Sequence, residues 1–315
     1  MNDDRVSESA DQSQASLDPI PGIIEYQSLN LLAGASGVGK TCLLSWLLKQ
    51  IRDGQPVFGT PTQPPPKIGY VCADRSVRTA RYWLAKAGYT GLTLYSMVED
   101  HLFQPARLRS KMQLTSILGE SLDKLNLPPG GLAVVDPLAL FLGGNLNDYQ
   151  ACAVACLEIR RECRKRQITL IGTAHASKQK SDKKERYQRL QDRINGSGAQ
   201  LGYGDTQMYL ASPEETGDKH YTFLWHPHSS PPAVFPLGRN AEGMFVPWAE
   251  SQEAVQENVV YDTIPADGTP IAFAAILTLC SAISRATVFR RLNELLADGL
   301  IEKPAEGLYK RSKVN

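Results

Sequence analysis

Short apolar runs alternate with longer, helix-like stretches along residues 19–248 of the 315-residue chain. Such runs are typical of buried strands, and their alternation with helices favours an α/β domain with a mostly parallel sheet. The runs are Leu29–Ala33, Ile68–Cys72, Leu132–Val135 and Ile168–Thr173. A later pair, His220–Trp225 and Ala233–Leu237, is joined by a loop rich in proline and serine, so the pattern predicts a hairpin there.

The pattern changes at both ends of this domain. Residues 1–18 have almost no large apolar side chains, which predicts a disordered tail. Residues 249–268 are polar and end in the turn-prone segment PADGTP, so we expect an interdomain linker. Apolar positions return in residues 269–315, and we interpret this region as a separate, small domain.

The pattern of residues 269–315 predicts a winged helix-turn-helix. One helix begins near Ile271, a second begins near Ser284, and a hairpin follows around residues 304–307. A stripe of apolar side chains marks the buried face of the second helix: Val288, Leu292, Leu295 and Leu296. The arginines that we place off this stripe are predicted to contact DNA: Arg285, Arg290 and Arg291. Winged helices also bind proteins, and that alternative stays open.

Composition and charge change this picture little. The net charge is +1, so any surface for nucleic acid must come from local clustering of basic residues. The N-terminus does not resemble a secretory signal, and the longest apolar run is too short to span a bilayer, so we expect a soluble, cytoplasmic protein without a membrane partner. The six cysteines form no CxxC pair, which favours buried, reduced thiols.

A phosphate-binding motif lies between the first predicted strand and a predicted helix. The segment GASGVGKT contains G-x-x-x-x-G-K-T as Gly34, Gly39, Lys40 and Thr41. We expect the Lys40 ammonium group to reach the β- and γ-phosphates of ATP, and the Thr41 hydroxyl to bind Mg²⁺. The nucleotide-binding segment comprises Gly34, Ala35, Ser36, Gly37, Val38, Gly39, Lys40, Thr41 and Cys42.

Three polar residues follow other predicted strands and complete the candidate catalytic set. Asp136 is the predicted Mg²⁺ carboxylate, although an aspartate there could also cap the following turn. Because Pro137 follows it, the catalytic base must come from elsewhere, and Asp74 is the candidate; its alternative role is to cap the next helix. His175 could sense the γ-phosphate, or it could be a structural histidine.

Together these motifs resemble those of the RepA-like hexameric replicative helicases of plasmids and phages, within the RecA-like P-loop ATPases (AAA_25-type). The segments that carry the resemblance are GASGVGKT, YVCAD, LAVVDPLA and IGTAHASK. It implies a RecA-like core, a ring-shaped homohexamer with ATP at each subunit interface, DNA in the channel, and an arginine supplied by the neighbouring subunit. The family commonly has glutamate where Asp74 stands, and Arg193 and Arg239 are the candidates for the arginine.

Two basic stretches would line such a channel, residues 160–166 and residues 178–193. In the second stretch, five side chains are predicted to contact DNA phosphates: Lys178, Lys180, Lys183, Lys184 and Arg186. The alternative is a solvated helix face, because acidic residues are interspersed.

The leading hypothesis is therefore an ATP-dependent DNA motor that is a replicative helicase of a mobile element. It would bind single-stranded DNA in its channel and duplex DNA at the winged helix. Two alternatives stay open. One is an ATP-switched DNA-binding regulator with little hydrolysis, and the other is a RecA-like recombination mediator.

Overall fold

The computed structural model describes residues 17–100, 114–142, 149–175, 204–251, 259–297 and 299–312. Its main feature is a nine-stranded sheet with the strand order β3-β2-β4-β5-β1-β6-β7-β8-β9. The strands are β1 Leu29–Gly34, β2 Ile68–Cys72, β3 Thr93–Ser96, β4 Leu132–Asp136, β5 Thr169–His175, β6 Thr206–Ala211, β7 Tyr221–Pro227, β8 Ala233–Arg239 and β9 Phe245–Pro247.

Strands β1 to β6 pair in parallel, whereas β7 is antiparallel to both β6 and β8. The predicted α/β fold with a mostly parallel sheet is therefore confirmed. Each predicted apolar run forms a strand, and the predicted hairpin is formed by β7 and β8. Strands β3 and β6 were not predicted from the sequence.

The helices of this part of the chain are α1 Lys40–Arg52, α2 Val77–Lys86, α3 Leu114–Leu125, α4 Tyr149–Arg166 and α5 Pro213–Thr216, with short 3-10 helices at Leu138–Phe141 and Trp248–Glu250. Apolar side chains of the strands and of α3 and α4 form one core, in which Leu31, Val135, Leu118 and Ile159 are at most 1% exposed. This core holds the strands in place. The predicted catalytic residues Asp74, Asp136 and His175 lie at or just beyond the carboxyl ends of these strands.

Contacts between residues divide the chain into two compact units, residues 1–237 and residues 238–315, and the division falls inside β8. The second unit contains β10 Ile271–Ala272, α6 Phe273–Leu279, α7 Arg285–Ala297, β11 Ile301–Ala305 and β12 Leu308–Arg311. Its sheet is antiparallel, with the order β10-β12-β11. The two helices and the hairpin predicted for this region are present, and the winged-helix interpretation of them stays a prediction.

The second unit has its own core of buried side chains, including Ile276, Val288 and Leu292. Val260 and Ile264 belong to this core and are fully buried, although they lie in the predicted linker 249–268. That part of the predicted linker therefore packs with the second unit. The remaining predicted domain boundaries stay predictions, and residues 1–16 of the predicted tail lie outside the described residues.

Two expectations about the whole chain concern membranes and cysteines. In the described ranges, no helix combines the length and the apolar character that crossing a membrane requires. None of the six cysteines forms a disulfide, and all six side chains are buried, as predicted.

Candidate active site

The phosphate-binding loop connects β1 directly to α1. Gly37 and Gly39 have φ angles of 80° and 110°, in the left-handed region that favours glycine. Gly34 is required for a different reason, because a Cβ atom there would lie 2.6 Å from the carbonyl oxygen of Leu210 on β6. The loop thus turns tightly into α1, which begins at Lys40 and directs unpaired backbone N–H groups toward the loop.

The Lys40 ammonium group is held inside this loop. Its Nζ atom donates to the carbonyl oxygens of Gly34 at 2.9 Å and Ala35 at 3.0 Å, and it lies 3.4 Å from Nδ1 of His175. Lys40 is 7% exposed, and this burial lowers the pKa of its side chain, which nearby Asp136 partly opposes. A cation buried in this way is positioned to exchange loop carbonyls for phosphate oxygens.

Asp136 ends β4 and accepts hydrogen bonds from three hydroxyl groups. Thr41 donates to Oδ2 at 3.0 Å, and Tyr70 donates to the same oxygen at 2.6 Å. Thr173 donates to Oδ1. Within the described part of the chain these hydroxyls are its hydrogen-bond partners, rather than backbone N–H groups of the next turn. The geometry therefore favours the metal role of Asp136 over the capping role.

The oxygens of Thr41 and Asp136 fit a magnesium ion. They lie 3.0 Å apart, and Mg²⁺ prefers hard oxygen ligands and is commonly bound by one or two carboxylates together with substrate phosphates. A closed cage of protein ligands is not needed for such a site, and the described residues contain no group of three or more His, Cys, Asp or Glu side chains that could form one. The pair is therefore suited to Mg²⁺ that arrives with a nucleotide.

Asp74 lies two residues beyond the end of β2. The alternative that it caps the next helix is wrong, because the N-cap of α2 is Ser76, whose hydroxyl accepts from the backbone N–H of Arg78 at 3.3 Å. The Asp74 side chain is 37% exposed and lies 3.6 Å from the Arg75 guanidinium group. It is therefore an accessible carboxylate at the carboxyl edge of the sheet, as a general base requires.

His175 ends β5 and pairs in register with Gly34 of the phosphate-binding loop. Burial lowers the pKa of its imidazole from the ordinary 6.5, and the nearby Lys40 cation lowers it further, whereas Asp136 and Asp74 oppose the change. The ring is therefore neutral at pH 7, and its Nδ1 atom can accept a hydrogen bond from Lys40. This position is compatible with the predicted contact to the γ-phosphate.

Sequence reasoning missed two residues of this site, Tyr70 and Thr173, which donate to Asp136. Tyr70 is fully buried, and burial together with Asp136 raises the pKa of its hydroxyl well above 10. The strand pattern offers part of a signal for it, because the register that completes the signal belongs to the assembled sheet. Cys72 pairs in register with Asp136, and strand alternation places Tyr70 on the same face as Cys72.

The predicted DNA contacts of the first unit lie mostly outside the described residues. This applies to Lys178, Lys180, Lys183, Lys184 and Arg186, and also to Arg193. In the other basic stretch, Arg160 pairs with Asp205, and Arg166 pairs with Asp123 at 2.8 Å. These ion pairs favour a structural role for Arg160 and Arg166, whereas Arg161, Arg164 and Lys165 of the same stretch are exposed. Arg239 packs 3.8 Å from the ring centroid of Phe245 and donates to the Gly243 carbonyl.

The three arginines predicted on α7 differ in their surroundings. Arg285 is exposed, and its guanidinium group lies 5.8 Å from the ring centroid of Phe273. The Arg290 side chain is 55% exposed and pairs with Glu294. Arg291 is only 1% exposed and also pairs with Glu294, so the prediction that it contacts DNA is wrong. Its position three residues after Val288 places it on the buried face.

Among curated proteins, none matches the sequence significantly. A crystal structure of a KaiC-like protein from the hyperthermophilic archaeon Pyrococcus horikoshii OT3 is 13% identical, with a TM-score of 0.45, and the match covers 71% of this chain and 91% of that one. A second solved structure, described as an ATPase domain, is 14% identical, with a TM-score of 0.49, and the match covers 76% of this chain and 95% of that one.

A family model identifies the chain from its sequence. The model of the family AAA_25, described as an AAA domain, matches residues 3–181. This range is more than half of the 315 residues and includes Lys40, Asp74, Asp136 and His175. The chain therefore belongs to the AAA_25 family of AAA domains, which are P-loop ATPases.

Proposed function

We propose that this protein is a cytoplasmic, ATP-dependent DNA motor that hydrolyses Mg·ATP at the carboxyl edge of its large sheet. One observation carries the proposal, namely that residues from separate strand ends converge there. Thr41 donates to Asp136, and Lys40 lies 3.4 Å from His175. Asp74 lies at the same carboxyl edge, two residues beyond the end of β2.

Each residue of this edge has a role in the proposed reaction. Backbone N–H groups of residues 35–42 bind the β-phosphate, and Lys40 binds the β- and γ-phosphate oxygens. Thr41 and Asp136 would hold Mg²⁺, which would supply positive charge to neutralise the phosphates. The Asp74 carboxylate orients the attacking water and accepts its proton. The neutral His175 ring contacts the γ-phosphate. Because His175 is the last residue of β5, the presence or absence of that phosphate can affect the position of this strand.

The finer identity that we propose is a RepA-like replicative helicase of a plasmid, phage or other mobile element. It rests on the resemblance of four motifs and implies a ring-shaped hexamer around single-stranded DNA. The winged-helix interpretation of the second unit supplies a further contact with nucleic acid. Membership of the AAA_25 family supports the nucleotide-dependent part of this proposal.

A second candidate is an ATP-switched DNA-binding regulator that hydrolyses ATP slowly. The observation in its favour is Asp74, because an aspartate reaches one methylene less far than the glutamate that the resembling family commonly has. A base held farther from the attacking water would leave nucleotide binding intact and slow the hydrolysis step.

The test is ATP hydrolysis by the purified protein with and without single-stranded DNA. For a motor we expect DNA to stimulate turnover several-fold, and Lys40→Ala to abolish turnover in both conditions because it removes the phosphate-binding cation. The matched control is Lys49→Ala on the same helix, where the ammonium group pairs with Asp53 at the surface. Nucleotide binding without measurable turnover in either condition would contradict the motor and favour the switch.

A further inference from the structure

A groove of about 660 Å³ lies on the second unit, between the start of α7 and the hairpin of β11 and β12. The residues that give it its chemistry are Phe273, Arg285, Phe289, Lys303 and Tyr309. We call it the aromatic groove. It combines apolar rings with cations, whereas an ordinary surface depression of a small domain has neither in excess.

The rings of the aromatic groove form a supported cluster. The centroids of Phe273 and Phe289 are 6.1 Å apart with the rings nearly perpendicular, and those of Phe273 and Tyr309 are 6.3 Å apart. Tyr309 is 3% exposed and belongs to the core, but Phe289 is 52% exposed. Phe289 is therefore an aromatic ring that is fixed by its neighbours and open on one side.

The two cations of the groove differ from the other basic residues of the second unit because they have no ion pair with a described carboxylate. Six lysines and arginines lie in residues 259–297 and 299–312, and four of them pair with carboxylates: Arg290 and Arg291 with Glu294, Lys310 with Glu302, and Arg311 with Asp262. The other two, Arg285 and Lys303, have no ion pair with a described residue. Both are exposed, and both line the aromatic groove.

We propose that the aromatic groove binds an unpaired nucleotide of single-stranded nucleic acid. The base stacks on Phe289, and the phosphates on its two sides contact Arg285 on α7 and Lys303 on β11. Proteins that bind single strands combine aromatic platforms with cations in this way. This inference rests on the proposed function for the presence of DNA, but it replaces the predicted duplex contact of α7 with a contact to an unstacked base.

Three features favour a single strand over other partners. In a duplex the base faces are stacked on each other and are not available to Phe289. Free cations lie on both walls of the groove, which suits a chain with a negative charge on each side of the bound base. The exposed ring of Phe289 offers a flat surface on which a base can stack, whereas an acidic peptide would use only the two cations, and Glu306 repels either anion.

The test measures binding of fluorescein-labelled oligothymidylate to the full chain by anisotropy, without ATP. Phe289→Ala should weaken binding about 10-fold, and Phe289→Trp should restore it because indole also stacks. Arg285→Ala should reduce the slope of log affinity against log salt by about 0.7. The matched control is Lys310→Ala, which removes a cation of the same hairpin as Lys303 that already has a carboxylate partner in Glu302 and should leave binding unchanged.

An abasic strand of equal length separates stacking from charge. Wild-type protein should bind it about as weakly as Phe289→Ala binds oligothymidylate. Equal affinity of wild type for both strands would overturn the proposal, as would unchanged binding by Phe289→Ala or a Phe289-dependent preference for duplex. Phe289-dependent binding of a glutamate-tyrosine copolymer, with oligothymidylate binding unaffected by Phe289→Ala, would also overturn it and point to a protein partner.

The outcomes for the groove and for the motor can be told apart. The groove is tested without ATP, and the motor is tested by turnover of the wild-type chain. A protein that binds oligothymidylate through Phe289 but shows no hydrolysis would support the groove and contradict the motor. Thermal unfolding of each variant shows that it is folded, and Arg285→Ala remains informative if Phe289→Ala unfolds.

Discussion

The phosphate-binding edge of the large sheet and the aromatic groove of the second unit hold their cations in opposite ways. Lys40 is 7% exposed, and two carbonyl oxygens and a histidine surround its ammonium group. Arg285 and Lys303 are exposed, and no carboxylate in the described ranges pairs with them. The first arrangement suits one small ligand in one position, and the second suits a flexible polymer.

The same contrast holds for carboxylates. Asp136 accepts three hydroxyl donors and faces a loop whose geometry is fixed by glycines. In the second unit, Glu294, Glu302 and Asp262 instead neutralise four cations on the surface and in the core. The difference teaches that the number of basic residues does not show which of them can bind an anion. A basic residue that already pairs with a carboxylate of the same unit is less available to bind an anion.

The largest expected effect concerns Asp74, the proposed base at the phosphate-binding edge of the large sheet. We expect Asp74→Asn to lower kcat about 100-fold or more, because the amide cannot accept a proton from water. Nucleotide binding, followed with a fluorescent ATP analogue, should be retained, since Asp74 is not part of the phosphate-binding loop. Asp74→Glu is the control and should keep turnover. Full turnover by Asp74→Asn would show that the base lies elsewhere.

A second test sharpens the claim that the hydroxyl donors position Asp136. Tyr70→Phe keeps the buried ring and removes one donor, so we expect the Mg²⁺ concentration for half-maximal activity to rise about 10-fold. Nucleotide binding without Mg²⁺ should not change. A readout independent of turnover is Mn²⁺ affinity of the protein with bound ADP, measured by electron paramagnetic resonance.

The control for this substitution is Tyr95→Phe, which also removes a hydroxyl that donates to a carboxylate, that of Asp100 at 2.8 Å. This pair lies at β3, away from the metal-binding residues, so the Mg²⁺ dependence should stay as in the wild type. Equal Mg²⁺ dependence of wild type and Tyr70→Phe would contradict a positioning role for Tyr70.

The phosphate-binding loop could be predicted from the sequence because its geometry is local. Residues 34–41 are consecutive, and their glycines encode the turn from β1 to α1 without help from distant segments. The strands could be predicted because a continuous apolar run is also a local feature of the sequence, and runs of this length are buried in a parallel sheet. Asp74, Asp136 and His175 follow such runs, so the topology alone brings them to one edge.

The contacts around Asp136 could not be predicted in the same way. Tyr70 and Thr173 reach it from different strands, and which side chains meet depends on register across β2, β4 and β5. Register is a property of the assembled sheet. The short strand β3 and the strand β6 are missed because polar residues interrupt them, so neither forms a continuous apolar run.

The binding properties of the aromatic groove also depend on tertiary structure, because folding decides which basic residues have carboxylate partners. The helical spacing of Arg290, Arg291 and Glu294 indicates their ion pairs from the sequence, but nothing in the order of residues 269–315 shows that Arg285 and Lys303 have no such partner. The prediction that Arg291 is exposed is wrong because it rests on the positions of apolar residues only. A long arginine side chain can lie along an apolar core and pair at its tip.

The smallest expected effect is a difference in the free energy of unfolding between the alanine variants of Arg291 and Arg290. Arg291→Ala removes a buried stem and leaves Glu294 with one partner fewer, so we expect the free energy of unfolding to fall by about 2 kcal/mol. Arg290→Ala removes an exposed partner of the same carboxylate and should cost less than about 1 kcal/mol. Urea unfolding followed by circular dichroism measures both. Arg291→Met, which refills the core, should recover part of the loss. If the two alanine variants lost equal stability, the ion pair with Glu294, rather than burial of the arginine stem, would be the main contribution of Arg291 to stability.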